Sequence, residues 1–166
     1  MYRFREILIR HIVYKVLCLT LKPKRMPRKF PQIILGVIYH PPPPNPNDYE
    51  MIDHITQRLD ELLTSHPESS IVLLGDFNQL PEYHLKRRFP FIQIVKQPTM
   101  ENNILDKIFT NADILYPSTQ ILPEIGTSDH KIVLSLPNPD VSSFNTHLTT
   151  ASCVRQSGRN FFYLFF

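Results

Sequence analysis

Ile71-Val-Leu-Leu-Gly-Asp-Phe-Asn78 is the stretch of sequence that decides the fold. Four aliphatic residues run without helical spacing into a glycine and then into polar side chains. A short apolar run of this kind predicts a strand that is buried in a sheet. Polar residues that directly follow such a strand lie at the sheet edge, where layered α/β folds build their sites. The segment therefore predicts a central strand that delivers Asp76 and Asn78 to a site.

Further apolar segments predict the rest of this sheet. Residues 7–21 are β-branched and aliphatic, which indicates one or two strands, the second over residues 15–21. The near-continuous apolar run at 32–39 is typical of a strand buried on both faces. Additional strands are predicted at 105–110 and 131–136, and a short extended piece at 91–95.

One strong helix is expected between the strands. It begins at Asn47, with Glu50 three residues later as in a capping box, and Pro67 ends its helical spacing of apolar residues. A second, short helix is predicted at 82–89. Pro41 to Pro44 precede the first helix and form a stiff extended segment, which we interpret as a surface loop in preference to a ligand for a proline-reading domain.

Composition narrows the functional class. The chain has 166 residues, of which 42% are hydrophobic, so it suits one ordinary domain and is not a disordered chain. Charged residues interrupt every apolar stretch before it reaches the ~20 residues of a membrane span. The two cysteines, Cys18 and Cys153, are far apart, which argues against a disulfide scaffold or a zinc site and favours an intracellular protein. Residues 1–31 carry nine Lys and Arg against one acid, which is compatible with a phosphate-binding arm and with a solvated loop.

Carboxylates and a histidine lie at the ends of several of the predicted strands. Asp76 and Asp129 are hard oxygen ligands or bases that suit Mg²⁺. His130 can donate a hydrogen bond to a phosphate oxygen, and Asp106 can fix its tautomer and raise its basicity. These residue types together are suited to hydrolysis of a phosphodiester with a divalent cation.

Two neutral residues complete this set of candidates. Asn78 can orient a water molecule, and Tyr39 can donate a hydrogen bond to the charge that builds on a phosphate oxygen.

The motifs that contain these residues resemble the endonuclease/exonuclease/phosphatase superfamily. The set is most similar to the apurinic-endonuclease-type domain of non-LTR (LINE-like) retrotransposons, which precedes a reverse transcriptase. The similarity covers residues 15–136. It rests on Gly75-Asp-Phe-Asn78, Leu105-Asp-x-Ile-x-Thr-Asn111 and Ser128-Asp-His130, in that order, with Gly36-Val-Ile-Tyr-His-Pro-Pro42 and Gln97-Pro-Thr99 as supporting segments.

The resemblance implies an α/β fold, a four-layer sandwich of two packed β-sheets flanked by helices. It implies a DNA endonuclease that uses Mg²⁺ (or Mn²⁺). The expected partner is DNA and not a membrane, and the protein is expected in the nucleus if it is active. By this resemblance Asp76 deprotonates the attacking water, which Asn78 orients, and Asp129 helps Asp76 hold the metal. His130, paired with Asp106, engages the scissile phosphate, while Tyr39 stabilises the transition state.

The chain departs from the family pattern at its beginning. Family members start with two further strands that end in an Asn and in a metal-ligating Glu, and neither is found. We therefore expect only the C-terminal part of the domain at 15–137, with residues 1–14 of uncertain assignment and an appended, disordered tail at 138–166. Half a sandwich would expose an apolar sheet face and weaken metal binding.

Three functions remain open. The first is an endonuclease completed by a partner chain that supplies the N-terminal half. The second is a truncated, non-catalytic remnant. The third, a phosphatase or sphingomyelinase-like hydrolase, is disfavoured because the Tyr-His-Pro-Pro and Leu-Asp-x-Ile-x-Thr-Asn motifs resemble the nuclease branch.

Overall fold

The computed structural model describes residues 3–7, 15–22, 31–42 and 47–136, with the backbone alone for 3–7 and Lys15. Several predictions fall on other parts of the chain. The part of the predicted strand region at 8–14, the basic loop, half of the proline run and the tail at 138–166 lie outside the described residues.

A six-stranded sheet forms the centre of the described structure. Its spatial order is β1-β2-β3-β4-β6-β5, in which β3 and β4 are parallel and every other neighbouring pair is antiparallel. The aliphatic runs become the inner strands because each places apolar side chains on both sheet faces. The strands are β1 (Arg3–Ile7), β2 (Lys15–Lys22), β3 (Ile33–Tyr39), β4 (Ser70–Asp76), β5 (Ile92–Gln93) and β6 (Asp106–Thr110).

Two helices cover one face of this sheet, and a small second sheet lies on the other. Helix α1 (Asp48–Ser65) connects β3 to β4, and helix α2 (Tyr83–Arg88) follows β4. The second sheet pairs β7 (Ser118–Leu122) with β8 (Ile132–Leu136) in antiparallel fashion. The predicted α/β fold with two sheets and flanking helices is confirmed.

Alternation along the strands divides the core into two clusters. In β4, Ile71 and Leu73 face the helices and pack with α1, whereas Val72 and Leu74 face the second sheet. Phe109 and Ile108 divide in the same way in β6. The helix-side cluster holds the buried apolar residues of α1, and the second-sheet cluster includes Val133 of β8.

The second-sheet face of the large sheet is partly open at β2 and β3. The side chains of these strands on this face include half-buried apolar residues such as Leu35 and Val37. In β3 the helix side is buried, since Ile34 and Ile38 are each 1% exposed, whereas the other side is buried only at Ile33, so the prediction of a strand buried on both faces is confirmed only in part.

Three local predictions differ from the structure. Asn47 is the N-cap of α1, but its side chain makes no capping hydrogen bond, so the capping-box prediction is wrong in that respect. The extended piece predicted at 91–95 contains only a two-residue strand, because just those two residues pair with β6. Strand β7 was not predicted, since three of its five residues are polar and its order comes from pairing with β8.

None of the helices in the described ranges is long and apolar enough to cross a membrane.

Candidate active site

Strand register brings three of the candidate residues side by side. Tyr39 of β3 pairs with Asp76 of β4, and Asp76 pairs with Asp106 of β6. All three occupy positions that alternate with helix-facing residues, so their side chains lie on the face of the sheet that carries the second sheet. Tyr39, Asp76 and Asp106 therefore form one row across the end of three adjacent strands.

The backbone changes direction sharply at this row, and the turn depends on a glycine. Gly75 has a φ of +134°, and a Cβ there would lie 1.9 Å from the carbonyl oxygen of Ile38. Only glycine fits both the backbone angle and the space. Phe77, fully buried against Phe109 at 5.1 Å between ring centroids, anchors the next residue of the turn. Gly75 and Phe77 thus fix the direction in which Asp76 points.

Asn78 holds the Asp76 carboxylate at both oxygens. Its backbone N–H donates to Oδ1 at 3.0 Å, and its side-chain Nδ2 donates to Oδ2 at 2.9 Å. Nδ2 also donates to the carbonyl oxygen of His40 at 2.7 Å. The residue reaches this position with a φ of +43°, in the left-handed region that Asn tolerates better than most side chains. Both amide hydrogens are used, and among the described residues no hydrogen bond to the Asn78 carbonyl oxygen is present, so this oxygen can contact a water molecule or substrate.

His130 arrives from the loop before β8 and pairs with Asp106. Its Nδ1–H donates to Asp106 Oδ2 at 2.8 Å, which fixes the tautomer and leaves Nε2 on the other side of the ring. Ligand atoms of Asp76, Asp106 and His130 all lie within 4.8 Å of one another. The structure therefore brings together two carboxylates and an imidazole from three separate segments.

The surrounding residues shift the pKa values of two of these groups, Asp76 and His130. Burial raises the pKa of Asp76, and the charge of Asp106 adds to the rise, although the Asn78 hydrogen bonds and His130 oppose it. Burial alone would lower the pKa of His130. The hydrogen bond that His130 donates to Asp106 and the charges of Asp106, Asp76 and Asp129 outweigh burial, so the pKa of His130 is raised. Asp76 is thus a stronger base than an exposed aspartate, and His130 is more readily cationic than a free imidazole.

Tyr39 and Asp129 are the exposed members of the predicted set. Tyr39 lies at the end of the row with 39% of its surface exposed. Asp129 is exposed in the loop before β8 and is not one of the three grouped ligands, while Asp106 is. Asp129 is close enough to act on His130 through its charge.

Thr99 stabilises the site, although its position in the sequence predicts no such role. It is fully buried, and its Oγ1 accepts hydrogen bonds from the backbone N–H groups of Leu105 at 3.1 Å and Asp106 at 3.0 Å. Its carbonyl oxygen accepts the N–H of Lys131 at 2.8 Å. One residue therefore ties the segment of Asp106 to the segment of His130. Its place within Gln97-Pro-Thr99 was the only signal in the sequence.

Asn111, the last residue of a site-associated motif, has a structural role. Its Oδ1 accepts the N–H of Ile71 at 2.8 Å and its Nδ2 donates to the carbonyl of Ser69 at 3.1 Å. These bonds join the end of β6 to the start of β4. Asn111 lies at the end of the sheet opposite Asp76 and takes no part in the site.

The donor set suits a hard divalent cation in part. Asp76 and Asp106 offer carboxylate oxygens, which Mg²⁺ and Mn²⁺ prefer. His130 uses Nδ1 in the hydrogen bond to Asp106, which orients its imidazole ring beside the two carboxylates. The arrangement can place a cation, a base and a proton donor around one phosphate group.

Comparison with known proteins agrees with this chemistry. Residues 4–130, more than half of the chain, match the family model described as Endonuclease/Exonuclease/phosphatase family. No curated protein matches the chain significantly. The fold, the row of strand-end carboxylates and the extent of this match lead to one assignment: the chain belongs to the Endonuclease/Exonuclease/phosphatase family.

Proposed function

We propose that the protein is a divalent-metal-dependent phosphodiesterase that hydrolyses DNA by in-line attack of water. The observation that carries this proposal is the grouping of Asp76, Asp106 and His130 within 4.8 Å at one end of the sheet. Membership of a family of phosphoester-cleaving hydrolases supports the reaction class.

In this proposal Asp76 and Asn78 activate the attacking water. The raised pKa of Asp76 suits proton abstraction near neutral pH better than that of an exposed aspartate. Asn78 holds the carboxylate at both oxygens, and its carbonyl oxygen accepts the second hydrogen of the same water. The water is thereby oriented while its proton passes to Asp76.

His130 acts on the phosphate. Its Nδ1–H is held by Asp106, so Nε2 is directed away from that carboxylate. With a raised pKa the ring carries a proton at Nε2 over a wider pH range, which it can donate in a hydrogen bond to a phosphate oxygen as charge develops. Tyr39, at the end of the same row, is the second donor to that oxygen.

Asp76, with Asp129 from the adjoining loop, would hold Mg²⁺ or Mn²⁺, with Asp106 as a further carboxylate close by. A bound cation supplies Lewis-acid stabilisation of the phosphate charge. Six oxygen ligands are usual for Mg²⁺, so this set binds weakly unless substrate oxygens, water or further carboxylates join it. We propose that a complementing chain supplies such ligands and that the chain alone is a slow enzyme.

The nuclease branch is favoured within the family. The Tyr39-His-Pro-Pro42 turn and Gln97-Pro-Thr99 resemble the endonuclease domains of non-LTR retrotransposons, which supports DNA as substrate and a retrotransposon origin. A non-catalytic remnant of that domain is the alternative, and the small number of carboxylates in the site favours it.

Nicking of supercoiled plasmid tests the proposal. The purified chain is assayed with Mg²⁺, Mn²⁺ and EDTA, beside Asp76→Ala, His130→Ala and the distant control Asp113→Ala. We expect slow, metal-dependent nicking that both site variants reduce at least about 100-fold, since each removes a group from the reacting centre. Nicking that persists in both variants, or its absence with either metal even when the chain is folded, would refute catalysis by the chain alone.

A further inference from the structure

His40 directly follows Tyr39 and is fully buried although Tyr39 is exposed. Its backbone contacts both sides of the Asp76 turn. The N–H of His40 donates to the carbonyl oxygen of Asp76 at 2.8 Å, and the carbonyl oxygen of His40 accepts Asn78 Nδ2 at 2.7 Å. A shift of this one residue would therefore move the partner that fixes the Asn78 carboxamide.

The imidazole of His40 is held by the first residue of α1. Nε2 lies 2.8 Å from Asp48 Oδ1, and the two side chains are 1% and 27% exposed. Between them the chain runs through Pro41 to Pro44, whose nitrogens carry no hydrogen and cannot bond to the site. The side-chain bond from residue 40 to residue 48 thus joins the end of β3 to the start of α1 across this connection.

We propose that His40 is a positioning residue of the hydrolytic site, held by Asp48 and acting through Asn78. The Asp48 carboxylate fixes the imidazole, the fixed residue presents its carbonyl oxygen to Asn78, and Asn78 in turn holds Asp76 and faces the water with its own carbonyl oxygen. His40 touches no reacting atom in this arrangement. The catalytic consequence rests on the proposed function, whereas the structural consequence does not.

The structural consequence is measured by NMR hydrogen exchange of the Asn78 side-chain amide. In the native chain one amide hydrogen bonds to His40 and the other to Asp76, so both are protected. We expect Asp48→Ala to speed their exchange at least about tenfold, and Asp48→Asn, which can still bond to the imidazole, to restore most of the protection. Asp53→Ala is the matched control because it removes an exposed aspartate from the same helix. Asp48→Ser, too short to reach the imidazole, replaces the alanine variant if that one does not fold.

The catalytic consequence is measured with a short DNA substrate. A misplacement of about 1 Å can cost up to ~100-fold in rate, so we expect kcat to fall at least about tenfold in Asp48→Ala with KM changed less than about twofold, and Asp48→Asn to recover. An inactive native chain would refute catalysis by the chain alone and leave the exchange measurement to decide the positioning role. Unchanged Asn78 protection in Asp48→Ala, or an equal effect of Asp53→Ala, would overturn the positioning role whatever the kinetics.

Discussion

Replacement of Thr99 by valine should destabilise the protein far more than its size suggests. Valine has nearly the shape of threonine, so no cavity forms, but the Oγ1 acceptor for two backbone N–H groups is lost. The N–H of Asp106 is buried and that of Leu105 is partly buried. A buried donor left without a partner costs about 1–3 kcal/mol. The variant should therefore lose about 2–4 kcal/mol of unfolding free energy.

This loss is large relative to the whole stability of a domain, which is typically about 5–15 kcal/mol. It corresponds to a decrease in Tm of roughly 10 °C for a chain of this size. Urea unfolding followed by circular dichroism measures the free energy directly. Thr99→Ser is the matched control, because it keeps the oxygen and removes only a methyl group, which costs about 1 kcal/mol.

The result that would refute this reasoning is a valine variant at least as stable as the serine variant. In that case the methyl group, and not the hydroxyl, would be the important part of Thr99. A second measurement is possible because Thr99 lies between the segments of Asp106 and His130. The NMR resonances of these two residues should shift in Thr99→Val and stay near their native values in Thr99→Ser.

Three further predictions concern charge and backbone. The pKa of His130 is raised by its carboxylate partner, so its stabilising effect is complete below the ordinary histidine pKa and is lost as pH rises through the folded value. Asp106→Asn should lower the His130 pKa in an NMR titration, and an unchanged pKa would contradict this. The pKa of Glu82 is lowered because its lysine partners outweigh burial, so its contribution is lost as pH falls, and Glu82→Gln should flatten the acid side of a Tm–pH curve; an unaltered acid side would count against it. Gly75→Ala should cost more than ~4 kcal/mol because of the clash and the positive φ, whereas Gly126→Ala, at φ +65° in open space, should cost about 1–2 kcal/mol; similar losses for both would exclude the clash as the cause.

Local sequence patterns predicted the two central strands that carry Tyr39 and Asp76 because those strands are dense in aliphatic residues. The short apolar run at 71–74, ended by a glycine, predicts a buried strand, and its polar end lies in the same stretch of sequence. The strand register then determined which polar ends meet, since pairing of residues 76 and 106 puts both carboxylates on one face. Register depends on contacts between distant segments, so the sequence indicated the members of the row but not their alignment.

The contacts that position the site were harder to predict. Thr99 and His40 act through backbone groups of other segments, and a backbone donor or acceptor has no signature in the sequence. Strand β7 also lacks a signal, because its polar residues suit a loop as well as a strand and only pairing with β8 selects the strand. Asp129 was identified from a motif, but the motif gave no information about its exposure to solvent.

Adjacent residues of β6 show how the sheet separates chemistry from stability. Asp106 faces the second sheet and binds His130, whereas Lys107 faces the helices and pairs with Glu82 at 2.7 Å. Glu82 also binds Lys86 at 2.6 Å, so this network fastens α2 to the sheet. Because side chains alternate strictly along a strand, a one-residue slip of β6 would exchange the two sides and place a lysine among the site residues. The helix-side contacts therefore preserve the site indirectly: they hold the register on which the row of carboxylates depends.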